Sequence, residues 1–183
     1  MTDPLLQIYL VSCMVVAMTI LVFWGQFRKR LKLNSNESPE KLINYNRIKR
    51  ISNVYWIIFS IFGIMIIVYG VVPDLYFLFL PLDAFHHPVI NNVGLLIIKL
   101  AITWILVAQN HIDKELFKYS RDMESLSAME LVSYSEGMLL SGMLVLFLGI
   151  STTITNVVGM LLTVLGVLFF VKGKIYEAYS FTS

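Results

Sequence analysis

From Gly137 to Val171 the chain runs for 35 residues without a charged side chain. As a single helix that stretch would be about 52 Å long at 1.5 Å per residue, far more than the ~30 Å hydrocarbon core of a bilayer. It must fold back on itself, and Ser151-Thr152-Thr153-Ile154-Thr155-Asn156 is the natural turn. Three similar runs precede it. Leu5–Trp24 has no charge, Asn53–Val72 has none and is closed by Pro73-Asp74, and Val89–Gln109 holds one, Lys99. Composition agrees, because only 14% of the residues are charged where a soluble domain has about a quarter. The expected fold is all-α: a polytopic integral membrane protein of five transmembrane helices in one domain covering 1–183, with spans at about 5–24, 53–72, 89–109, 133–150 and 156–171. A chain of this length has no room for a separate soluble catalytic domain, so any chemistry belongs in or on the bundle.

Orientation follows from the basic residues. Eight lie in 25–52 (six of them Arg28, Lys29, Arg30, Arg47, Lys49 and Arg50), three in 110–134 (Lys114, Lys118, Arg121) and two in the tail (Lys172, Lys174). The alternating segments 1–4, 73–88 and 151–156 have none. The N-terminus is therefore expected outside, the C-terminus in the cytoplasm, and the protein in the cell membrane as a multi-pass protein. Asp3 before the first run and Arg28-Lys29-Arg30 after it reverse the order of a cleaved signal peptide.

The basic loop 25–52 carries Ser38-Pro39-Glu40, an N-cap followed by proline at the first helical position. A helix is expected to start there and run into the second span, its basic residues near anionic headgroups. In 110–130, Ile112, Leu116, Tyr119, Met123 and Leu126 form one apolar stripe. This cytoplasmic segment either lies in the interface or continues span three as a stalk. Ser127 and Glu130 have the form of a capping box opening the fourth span, with a bend at Ser125–Ser127. Small residues recur every seven positions: Gly63 and Gly70; Gly94, Ala101 and Ala108; Ser135, Gly142 and Gly149; Gly159, Gly166 and Gly173. Such seams let helices approach closely in lipid, and they predict a compact left-handed bundle.

Candidate chemistry is sparse. Lys99 is an intramembrane charge, costly unless paired or hydrated and a functional hypothesis for that reason. A partner subunit, a bound anion, or hydroxyls such as those of Ser60, Tyr69 and Thr103 could serve it, or it could simply snorkel. Asp83, His86 and His87 are weak candidates for a divalent metal, although adjacent histidines on an extended segment point apart and an interfacial loop explains them as well. No histidine lies inside a span, His111 being at an inner edge, so a buried bis-histidine haem has no ligands. The single cysteine, Cys13, excludes an intrachain disulfide framework. Tyr134 and Glu136, with Tyr176 and Glu177, fall at the cytoplasmic end of the last hairpin as a candidate cofactor mouth, or as ordinary aromatic and acidic interface residues.

Five spans, this orientation, a tight final hairpin and the tail motif Tyr176-Glu177 together resemble the isoprenylcysteine carboxyl methyltransferase and phospholipid methyltransferase superfamily over about 90–180. In that family a glycine-rich span, an Arg-His-Pro before a Tyr-x-Gly, and a glutamate after the last span bind S-adenosylmethionine between them. The span Gly94–Ala108, Gly142 and Glu177 match, whereas the Arg-His-Pro position reads Glu136-Gly137-Met138 and the tyrosine is Leu140. The resemblance implies S-adenosylmethionine at the mouth of Tyr134, Glu136, Tyr176 and Glu177; the departures remove its cationic and imidazole contacts.

With no convergent catalytic constellation, the leading expectation is a non-catalytic accessory subunit or scaffold of a membrane complex. Its partners would be the bilayer, other membrane subunits and anionic lipid at the basic loop, with no nucleic acid. The alternatives are a lipid or prenyl-cysteine methyltransferase-like protein and a small transporter or channel element, against which the lack of an inverted repeat weighs.

Overall fold

The computed structural model describes residues 4–30, 39–120 and 128–180. Five long helices follow one another: α1 (Pro4–Arg30), α2 (Pro39–Val71), α3 (Pro88–Ser120), α4 (Ala128–Ile154) and α5 (Val157–Ser180). Among the described residues no strand forms, only an isolated bridge between Pro81 and Asn156. Four of the helices are long and apolar enough to cross a membrane, over Pro4–Leu21, Arg50–Val71, Pro88–Glu115 and Tyr134–Ile154, and Val157–Gly173 is a shorter apolar helix. Proline opens α2 and α3, where its missing N–H costs nothing and its fixed φ suits the first turn.

The expected turn at Ser151–Asn156 is tighter than the polar run suggested. Ser151 and Thr152 donate their hydroxyls back to the Leu148 carbonyl, and Thr153 donates to that of Gly149. These three residues therefore stay within α4, their polar groups satisfied by the helix itself. Only Thr155 and Asn156 make the turn, with Thr155 at a φ of 40°. Span four consequently extends beyond residue 150. The stretch 110–120 continues α3 without a break, with Ile112 buried, and the apolar window of α3 reaches Glu115. Ser38, Met123, Leu126 and the bend at Ser125–Ser127 lie outside the described residues.

α4 is the centre of the bundle. In its apolar window 61% of the residues are buried, against 28% in those of α1 and α3. It packs on α3 most extensively and also on α2 and α5, while α1 closes the side formed by α2 and α3. The small residues make this packing possible. A Cβ on Gly94 would collide with Thr153, one on Gly149 would stand 2.8 Å from the Ile98 backbone nitrogen, and one on Gly142 would stand 2.5 Å from Ile105. Small residues of α3 and α4 thus bring the two backbones together at several levels. Phe147 fills the space beyond them, stacked on Phe62 at 5.2 Å between ring centres and tilted against Tyr55 at 5.5 Å. The buried Tyr55 hydroxyl donates to the Gly166 carbonyl at 2.7 Å, tying α2 to α5.

Candidate functional site

The Pro73–His87 connection marks one end of the bundle, here termed the loop end, and the opposite end is the tail end. At the loop end two short 3-10 helices, Pro73–Phe79 and Asp83–Phe85, cover the α4–α5 turn. Tyr76 is the pin. Its hydroxyl donates to the Ile154 carbonyl at 2.6 Å and accepts from the Asn156 amide at 2.8 Å, and its ring meets Tyr69 edge-on at 4.9 Å. Asn156, fully buried, also accepts the Gly159 N–H and so caps α5. Backbone bonds from Leu82 to the Thr155 carbonyl and from Val157 to the Leu80 carbonyl complete the clamp. Gln7 of α1 donates to the Tyr69 carbonyl at 3.0 Å, drawing the first helix to the same level.

The two loop histidines have separate tasks. His86 Nδ1 lies 3.5 Å from the Thr155 hydroxyl, and His87 Nδ1 accepts the Val89 N–H at 3.3 Å, at the start of α3. Asp83 is exposed. The structure does not gather Asp83, His86 and His87 into a metal-ligand set, and among the described residues no group of three or more such side chains could hold a metal ion.

At the tail end, Glu136 is 3% exposed and Ser135 and Ser52 are buried with it, whereas Tyr134 is largely exposed. Glu136 is therefore part of the bundle interior and not a solvated acid. Tyr176 and Glu177 belong to the last turns of α5, and their side chains lie outside the described residues. A groove of about 440 Å³ between α1 and α2 is lined by Val11, Met14, Met18, Gly63, Ile66 and Ile67. Its walls suit hydrocarbon, not a charged ligand.

Lys99 turns away from α4 and toward α1. It is exposed, on the side of α3 opposite the packing with α4, and its ammonium lies 5.1 Å from the ring centre of Tyr9 on α1. Two of the three candidate hydroxyls are occupied within their own helices, Thr103 donating to the Lys99 carbonyl and Ser60 to that of Trp56, and Tyr69 is buried against Tyr76. Helical side chains lean toward their N-terminus, which for α3 is the loop end. The lysine stem follows that lean toward Tyr9. The outward direction has a sequence signal: Lys99 stands two residues before the buried Ala101, about 200° round a helix from it. The clamp of Tyr76 and Asn156 has no such signal, since its members are eighty residues apart and lie in non-periodic segments.

Comparison with protein-family models, with curated proteins and with solved structures finds no match to this chain. The methyltransferase resemblance therefore rests on the residues that suggested it.

Proposed function

We propose that the chain is a five-span protein of the cell membrane, with its N-terminus outside and its C-terminus in the cytoplasm, that serves as a non-catalytic accessory subunit or scaffold of a membrane complex. The observation that carries this reading is the outward Lys99. A charge at membrane depth is expensive and is almost always turned toward a bundle interior, a wet cavity or a partner. A lysine on the periphery of this bundle is accounted for if that periphery is the interior of a larger assembly. The basic residues of 25–52 then belong on the side of the anionic inner leaflet. The test is the mass of the particle extracted from its own membranes in mild detergent: a discrete species larger than one chain supports the reading, and a monomer under the mildest conditions contradicts it.

A second reading, a methyltransferase-like protein, has the buried Glu136 in its favour. A carboxylate held inside the tail end of the bundle is a group that an S-adenosylmethionine site could use. Calorimetry with S-adenosylmethionine at millimolar concentration decides it, and absence of heat leaves the accessory role as the account of this chain.

A further inference from the structure

The outward side of α3 carries more than one polar residue. Asn92, Leu96, Lys99, Thr103, Leu106 and Asn110 are all exposed and follow one another at alternating spacings of four and three. That spacing is the seam a helix offers to a neighbour in left-handed packing. Four of its six positions are polar. The outward side of α5 is a built-in comparison: Leu161, Val164, Leu165 and Leu168 are exposed there, and all are apolar, as a surface facing lipid requires. The rest of the exposed α3 surface is apolar, with Val93, Leu100, Trp104 and Val107 beside this stripe, so the charge of Lys99 is what sets the face apart from that of α5.

We propose that the Asn92–Asn110 face of α3, flanked by Tyr9 of α1, is the docking surface for a transmembrane helix of a different protein, and that this helix carries an aspartate or glutamate level with Lys99. The inference rests on the accessory-subunit reading and names its contact. Charge complementarity selects the occupant. An ammonium in hydrocarbon is stabilised by a carboxylate, and since the Thr103 hydroxyl is already bonded to the Lys99 carbonyl, charge is what this face offers a partner helix. Among the described residues a second copy of this chain has no carboxylate level with Lys99: Asp74 and Asp83 lie in the loop connection, Glu136 is buried, and Glu40, Asp113, Glu115, Glu130 and Glu177 stand toward the tail end. Phospholipid phosphates sit at headgroup level. Lys99 is about 16 Å along α3 from Pro88, midway through the 89–109 span, whereas Asn92 and Asn110 stand near its two ends, within reach of headgroups. Contact between Lys99 and Tyr9 holds the ammonium at the α1–α3 junction, where an incoming helix would lie against both.

The experiment uses the purified full chain, fluorescently labelled, in phosphatidylcholine vesicles. The probe is a synthetic single-span leucine-alanine peptide with Glu, Gln or Leu at the level of Lys99. Energy transfer should show the Glu peptide associating about tenfold more tightly than the Gln peptide, with the advantage kept in Lys99→Arg and lost in Lys99→Met. Equal association of all three peptides, or a Glu advantage that survives Lys99→Met, would overturn the proposal. So would phosphatidylglycerol abolishing the advantage at low mole fraction, which would assign the lysine to lipid phosphate. Failure here is distinct from failure of the accessory role: a complex recovered intact from native membranes with Lys99→Met removes this face while leaving that role standing.

Discussion

Asn156 holds three segments at once, because its amide donates to Tyr76, its carbonyl caps α5 and its backbone bridges to Pro81. Replacing it with alanine removes the donor to the Tyr76 hydroxyl and leaves the Gly159 N–H without its acceptor, at a cost of about 2 kcal/mol; thermal unfolding of Asn156→Ala in detergent should show the loss. Tyr76 adds a pH dependence. Burial is the main cause of a phenol pushed up to about 12, with Tyr69 and Asp83 adding to the rise and the Asn156 hydrogen bond opposing it. A folded pKa above the ordinary value of about 10 means that the neutral phenol's contribution is complete below that value and is lost as the pH rises through 12. Unfolding temperatures between about pH 9 and 12 should therefore fall more steeply for the wild type than for Tyr76→Phe, which starts lower because it lacks the bond to Ile154. Parallel declines would remove Tyr76 from the explanation.

Helix pairing was legible wherever it depended on local pattern. The sevenfold spacing of Gly94, Ala101 and Ala108, and of Ser135, Gly142 and Gly149, marks the faces that α3 and α4 bury against each other, because a helix repeats its face about every seven residues. The exact turn between α4 and α5 was not legible. Serine and threonine read as loop formers in water, but here their hydroxyls bond back within the helix, and this satisfies polar groups that apolar surroundings cannot. The seam makes a graded prediction within one helix. Gly149→Ala forces its Cβ against the Ile98 backbone and should destabilise by about 1–3 kcal/mol. Gly137→Ala, whose Cβ would meet nothing within 4 Å, should be neutral or slightly stabilising, since alanine is the better helix former. Equal effects at the two positions would show that close helix approach is not what the seam supplies.

Taken whole, the molecule is a bundle whose exposed α5 and α3 surfaces are mainly apolar, with a charge, Lys99, set into the second. The sequence revealed that Lys99 was unusual, and the buried seam of α3 contains the signal of its direction. On the proposed reading, what faces the lysine from outside belongs to another chain, which no pattern in this one spells out. Orientation is testable with reporters: fusions within 25–52 and after Ser183 should report cytoplasm, and one within 73–88 the opposite side. The central claim, that the α3 face is covered by a partner protein, is tested most directly by photo-crosslinking in native membranes. A photoreactive residue in place of Leu96 should give a discrete protein adduct that disappears with Lys99→Met, while the same residue in place of Leu161 on α5 should give lipid adducts alone. Lipid adducts at both positions, or the same protein adduct at both, would contradict the account.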